Sequence, residues 1–387
     1  MCHYVLPIYY EMTHDGLRSC ENLKLKISVS EKQVHEAQLT LFSAKDNSGN
    51  SLVDYDQLPR FLHAMSKKFF TPEEHAVNPY KEIVVGEKQV FQIRPAELDG
   101  EDGSFQGRKY VYPSTREALV EEVIIDFARN GVFSWERGEP GYLHSETGAI
   151  KVIFTMYQLR KRLEAMKKSY RVSELTEALR VLRRATYRRF SSVNVEVGKK
   201  WFNRVDKEFS YIAELGFLER VDENTPIKSE AVVEVTLSEQ ASQKIITGDY
   251  RSYNCSMSLS FKSPMSRYIY KMISQKWRNA TMKSGNGNSF TLPMNMTLND
   301  AGHACPANIT KRRAIVEKAL EELHKSGVIQ EIPNSHVHIK KRGAKIVDIV
   351  FLVMPQEGFV KQQILANVRY KEVNKIKSQL PMLTSQG

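Results

Sequence analysis

Residues 308–332, NITKRRAIVEKALEELHKSGVIQEI, leave little choice of local structure. Val316, Ala319, Leu320 and Leu323 recur at i, i+3, i+4 and i+7, which draws one apolar stripe along a helix. Lys311, Ala314, Lys318 and Lys325 fall on the opposite face. Asn308 or Thr310 can cap the start, and Gly327 stands where a helix C′ glycine belongs. A strand, VIQEI (328–332), is expected immediately afterwards. The first turn carries Lys311, Arg312 and Arg313, against the helix dipole, which favours anions at that end. A phosphate would compensate that arrangement, so a basic N-terminal face points to a DNA recognition helix. A solvated basic surface helix is the competing explanation.

The rest of the chain weighs between the two. It has 387 residues, a span that favours two domains, and 41% apolar content, enough for ordinary cores. Its net charge of +11 calls for a polyanionic partner, nucleic acid or an anionic membrane. No apolar run approaches the roughly 20 residues of a membrane span, and the N-terminus lacks a basic n-region and a cleavage motif. Cys2, Cys20, Cys255 and Cys305 are scattered, which fits free thiols in a reducing cytoplasm and supports neither zinc nor a disulfide framework.

Residues 1–78 read as a partly flexible N-terminal arm, with turn-rich AKDNSGNS at 44–51. Within it, QLTLF (38–42) resembles the pentapeptide by which bacterial proteins dock on the DNA polymerase sliding clamp. Leu41 and Phe42 would be the anchors, with Leu39 beside them and Gln38 setting register. A short amphipathic strand or helix end accounts for the same residues. Residues 79–248 read as a first folded unit. KEIVVGEKQVFQI alternates like paired strands, and Pro113-Ser114-Thr115 opens a helix with Glu117 at capping-box spacing. GAIKVIF (148–154) is a strand. Two helices follow, one capped by Thr155 and burying Leu159, Leu163 and Met166. The other is capped by Ser173 and buries Leu175, Ala178, Leu179 and Leu182. Residues 154–190 hold eleven Lys or Arg against three Glu. Arg180, Arg184 and Arg188 recur at i+4 on the expected second helix, with Arg183 beside them. Like charges at that spacing repel, and a run of phosphates would neutralise them. Residues 193–197 and 209–218 read as a β-wing, and VVEVTL with a helix from Ser238 closes the unit.

Residues 249–262 look like a Ser-rich linker, and from 263 to 370 the order of elements repeats. A helix over 264–282 contains no acid and carries Arg267 and Lys271. SFTLPM is a strand, 298–304 a short helix, and the focal helix and a wing follow, with Lys340, Lys341 and Arg342 at the wing's turn. Residues 371–387 read as a polar tail. The fold class expected is α+β, two tandem winged-helix domains behind the arm.

FTMYQLRKRLE with ELTEALRVLRRAT, SPMSRYIYKMISQKW with SFTLPMNMTL, and KRRAIVEKALEELHKSGVI together resemble the iteron-binding plasmid replication initiators of the TrfA and RepE class. The resemblance covers about residues 80–354, and the order of the motifs carries more of it than any one motif. It implies binding of double-stranded DNA at directly repeated origin sites. It also implies duplex opening, recruitment of the clamp, helicase and host initiator, and a monomer on the origin with a homodimer that represses its own gene. TrfA-like members also carry a clamp-docking peptide upstream of the domains. The long arm departs from the compact RepE-like pattern.

The DNA-binding residues expected are therefore Lys311, Arg312, Arg313, Lys318, Lys340, Lys341, Arg342, Arg180, Arg183, Arg184, Arg188, Arg267 and Lys271. No GxxxxGK[ST] loop, HExxH or Cys/His metal spacing occurs, so no cofactor, no metal and no enzymatic turnover are expected, in a bacterial cytoplasmic protein. Two rivals stand beside this reading. A transcriptional repressor would need neither a clamp peptide nor, usually, a second winged helix. A rolling-circle nickase would use His336 and His338 on one strand face as a metal pair, with Tyr370 as nucleophile.

Overall fold

The computed structural model describes residues 48–379, apart from 53–54, 57, 64–68, 86–88, 100–106, 130, 132–138, 145–148, 192–194, 198–199, 203–204, 219–231, 248, 283–287 and 304–305. The QLTLF stretch, with Gln38, Leu39, Leu41 and Phe42, lies outside the described residues.

The chain enters through β1 (Ser48–Leu52), β2 (Phe69–Phe70), α1 (Pro72–Val77), β3 (Lys81–Val85), β4 (Gln89–Arg94), β5 (Ala96–Leu98) and β6 (Lys109–Val111). The first unit continues with α2 (Thr115–Ala128), β7 (Gly141–His144), β8 (Ile150–Thr155), α3 (Met156–Ala165) and α4 (Val172–Arg184). Its later strands are β9 (Thr186–Ser191), β10 (Val195–Val197), β11 (Lys200–Phe202), β12 (Val205–Ser210), β13 (Ile212–Leu218) and β14 (Val232–Leu237), followed by α5 (Glu239–Ile246). The connection to the second unit is β15 (Tyr250–Asn254) and α6 (Cys255–Ser260). The second unit is α7 (Pro264–Lys276), β16 (Phe290–Pro293), α8 (Met294–Asp300), α9 (Ile309–Lys325), β17 (Val337–Arg342), β18 (Lys345–Val353) and α10 (Glu357–Gln379).

Both units have winged-helix order. In the second, α7, β16, α8 and α9 lead into the β17–β18 hairpin, and the sheet runs β16–β18–β17. The first strand thus pairs with the last, and the hairpin projects as the wing. In the first, β8 pairs with β14 and β14 with β13, in a sheet of order β7–β8–β14–β13. Four strands intervene between α4 and β13, and two of them join β3 and β4 in a second sheet of order β12–β9–β4–β3. The mixed helix-and-sheet class and the tandem winged helices expected from sequence are both present.

Local chemistry explains most helix starts. Glu117 Oε2 accepts from the backbone N–H of Ser114 at 2.9 Å, closing the capping box that starts α2. Thr155 caps α3 with Gln158 in the same reciprocal arrangement. Asn308 caps α9, its Oδ1 accepting from the Thr310 N–H at 2.8 Å. Gly327 ends that helix at φ +75, a conformation glycine adopts without a Cβ penalty. Val316, Ala319, Leu320 and Leu323 are all buried. Burying each of the three larger side chains contributes roughly 1.5–3 kcal/mol, against about 1 kcal/mol for a typical cap.

Several boundaries differ from expectation. VIQEI makes only an isolated bridge, between Ile329 and Pro355, rather than a strand. The helix expected at 298–304 is instead α8, which starts at Met294 and buries that residue and Leu298. Residue 172, not Ser173, begins α4, with Arg171 as N-cap. Helix α7 ends at Lys276, because Trp277 turns into the core, where its ring packs 5.7 Å from those of Phe290 and Phe359. The expected linker is ordered, since β15 pairs with β1 from Leu52↔Tyr250 to Ser48↔Asn254. The end of the expected arm belongs to the core. Tyr55 and Arg60 both engage Glu121 of α2, at 2.9 Å through the hydroxyl and at 2.8 and 2.9 Å through the guanidinium. Residues 371–379, expected in the tail, continue α10.

The two units share one core. Arg251, 1% exposed, donates through Nε to the Ser274 carbonyl of α7 and through Nη2 to Gln363 and Asn367 of α10. Gly302, at φ +64, lies against the arm, and a Cβ there would collide with the Phe61 carbonyl oxygen. Glu122 of α2 pairs with Lys271 of α7 at 3.1 Å across the junction.

Candidate nucleic-acid interface

Helix α9 occupies the position of the third helix of a winged helix, and its solvent face divides along its length. Lys311, Ala314 and Lys318 are exposed in the N-terminal half, two turns from end to end. Neither lysine has an ion pair among the described residues. Further along, Lys325 pairs with Glu321 at 2.5 Å. The basic end is therefore the start of the helix, where unpaired backbone N–H groups also face outward.

The three cations of that first turn have different employments. Lys311 projects to solvent. Arg313 Nε donates to Glu317 at 2.7 Å. Arg312 is a structural clasp: Nη1 donates to Asn295 of α8 at 2.9 Å, and Nε and Nη2 donate to the carbonyls of Pro306 and Ala307. Its guanidinium thus fixes the turn between α8 and α9, with three of its five N–H donors engaged there.

The wing adds a second set. Lys340, Lys341 and Arg342 on β17 are exposed, as is Lys345, which pairs with Arg342 across the turn at Gly343. Register shifts between Lys340 and Lys341, and such bulges re-aim side chains along a strand. Lys345 was missed in the sequence, where only the cations before the turn were assigned; its place three residues after Arg342 in KKRGAK was the available signal. Asp348 of β18 ties this wing to the helices, since its Oδ1 accepts the Asn295 N–H near the start of α8 at 3.1 Å.

In the first unit, Arg180 and Arg183 of α4 are exposed with no ion pair among the described residues. Arg184 is exposed as well, but Nη1 donates to the Glu97 carbonyl at 2.9 Å and to Asp99 at 3.0 Å. Arg188 does not extend the helical row. Ala185 leaves the helix with ψ 149, and Arg188 lies on β9, where it pairs with Asp206 at 2.6 Å.

Two expected DNA contacts are corrected outright. Arg267 is 6% exposed and Lys271 is held by Glu122, both facing the junction between the units. Neither reaches a surface that a duplex could touch. The nickase geometry also fails at its premise, because His336 belongs to a 3-10 turn (Asn334–His336) and only His338 lies on β17. Tyr370 is on α10 with the Arg278 guanidinium 5.1 Å from its ring centre. Among the described residues, no group of three His, Cys, Asp or Glu is placed to hold a metal ion, and no helix is long and apolar enough to cross a membrane.

No family model matches the chain, and no curated protein matches it. Solved structures do. A crystal structure of selenomethionine derivatives of domains 2 and 3 of RctB aligns with TM-score 0.43 and 8% identity, covering 76% of this chain and 95% of that one. A second crystal structure of RctB domains 2–3 gives TM-score 0.40 and 9% identity, over 80% and 98% of the two chains. The crystal structure of the Pi initiator protein in complex with iteron DNA gives 0.36 and 14%, over 62% and 91%. The winged-helix assignment itself stands on the strand order and helix positions of this chain.

Proposed function

We propose that the chain is a sequence-specific double-stranded DNA-binding protein that initiates plasmid-type replication at repeated origin sites. It works by binding alone, without catalytic turnover. The observation that carries the DNA-binding part is the matching placement of cations in the two units. Each third helix bears exposed cations without ion pairs among the described residues: Lys311 and Lys318 on α9, and Arg180 and Arg183 on α4. The exposed wing cations Lys340, Lys341, Arg342 and Lys345 stand beside the second. In this reading Lys311 and Lys318 enter the major groove, the wing holds backbone or minor groove, and Arg180 and Arg183 grip phosphates.

The initiator part is supported by the order of the motifs along the chain and by QLTLF, through which the bacterial sliding clamp would be brought to the origin. Helicase and host-initiator recruitment, a monomer on the origin and a repressing homodimer belong to the same proposal. Fluorescence anisotropy with duplexes from the DNA flanking the chain's own gene tests it. Lys311→Ala and Lys318→Ala should each cost roughly 1–3 kcal/mol on the preferred duplex and narrow its advantage over a scrambled one. Unchanged affinity and preference in both variants would remove α9 from recognition.

A further inference from the structure

Arg267 sits in the first turns of α7, where the two winged-helix units meet. Its side chain is 6% exposed, yet neither Nη1 nor Nη2 has a hydrogen-bond partner among the described residues. A buried guanidinium left in that state is strongly destabilising, so it calls for an anionic partner. The residue lines a cavity of about 80 Å³, together with His63, Glu122 and Lys271.

The carboxylates nearby are already engaged. Glu122 accepts from Lys271 at 3.1 Å, Tyr253 at 2.8 Å and Ser258 at 3.2 Å. Asp126 holds Arg129 at 2.6 Å and Arg162 at 2.7 Å, and Glu121 takes Arg60 on both oxygens. Asp56 accepts the Leu52 N–H at 2.9 Å. Glu322 of α9 caps α7, accepting the N–H groups of Lys262 and Ser263 and the Ser266 hydroxyl. Two further groups register the charge of Arg267. Burial, then Arg267 and His303, hold His63 down to about 3, and burial, then Arg267, lower Lys168.

We propose that this cavity binds a small tetrahedral oxyanion, of which inorganic phosphate is the type, on the paired Nη1 and Nη2 donors of Arg267. A planar guanidinium fork matches two oxygens of such an anion. Bound there, the anion joins α7 of the second unit to the His63 segment against the first, and tightens the junction. Free phosphate and the phosphate group of a nucleotide share this chemistry.

The test uses the full chain, titrated at constant ionic strength with sodium phosphate in one arm and adenosine monophosphate in the other. Melting temperature and the imidazole proton resonances of His63 are followed. Saturable phosphate binding should raise the melting temperature by several degrees and raise the His63 pKa. A response to the nucleotide alone would assign the same seat to nucleotide phosphate. In Arg267→Met both responses should vanish, while the variant melts at or above the phosphate-free wild type. Arg267→Lys, which keeps the charge and loses the fork, should weaken the response at least tenfold. An undiminished response in both variants would place the anion elsewhere and overturn the proposal. So would a wild type indifferent to both anions with Arg267→Met melting well below it, because the guanidinium would then already have its partner within the chain.

Discussion

Replacing Lys340, Lys341 and Arg342 together by serine separates DNA contact from stability. All three are exposed on β17 and make no ion pair among the described residues, so their removal should change folding stability by less than about 0.5 kcal/mol each. Their effect on DNA should be large. The exposed cations assigned to the interface are Lys311, Lys318, Lys340, Lys341, Arg342 and Lys345 in the second unit and Arg180 and Arg183 in the first. If each neutralises one phosphate, the slope of log affinity against log salt is about −7, from about −0.9 per contact. Affinity then falls by about four decades between roughly 50 and 200 mM salt. The triple variant should show a slope near −4.5 and lose fewer than about three decades over the same range. Anisotropy titrations at a series of potassium chloride concentrations, beside a melting curve, read both quantities. A slope unchanged from wild type would show that the wing does not touch phosphates. A melting temperature lowered by many degrees would show that these side chains support the fold instead.

Other perturbations test the architecture. Arg312→Ala should cost about 1–3 kcal/mol of stability by releasing Asn295 and the carbonyls of Pro306 and Ala307, whereas Lys311→Ala should leave the melting temperature unchanged. Gly302→Ala should destabilise by more than about 1–3 kcal/mol in denaturant unfolding, because φ +64 and the Phe61 carbonyl both oppose a Cβ. Two buried groups give opposite pH slopes. His63, held down to about 3, binds protons more readily when unfolded, so its contribution is lost as pH falls below about 6.5 toward that value. Asp300, pushed up to about 6 by burial, binds protons more readily when folded, so its contribution is lost as pH rises from about 4 to 6. Relative to wild type, melting curves of His63→Asn should therefore show a smaller gain in stability from pH 4 to 6, and those of Asp300→Asn a larger one.

What was legible in the sequence was whatever local periodicity and capping determine. The stripe of Val316, Ala319, Leu320 and Leu323, the Ser114–Glu117 box and Gly327 all act within a few residues, and the helices they mark are present. Arg188 was misplaced because α4 stops at Ala185 without a glycine or proline; the only warning was the β-prone TYRRF that follows. The stretch from 249 to 262 looked like a linker through its serines, whereas Tyr250, Tyr253, Leu259 and Phe261 are buried in the core. Arg267 and Lys271 looked like surface cations because their counterparts are distant in the chain. Nothing within α7 announces Glu122, which lies on a helix of the other unit. Long-range pairing of this kind decides whether a cation faces solvent or the interior, and no local pattern encodes it.

A hydroxyl-radical footprint of the full chain on the DNA flanking its own gene decides whether the two winged helices read repeated duplex sites. Protections should recur in the same orientation at regular spacing, each lost in Lys311→Ala/Lys318→Ala protein. A single protected inverted repeat, or uniform weak protection without sequence preference, would contradict that reading.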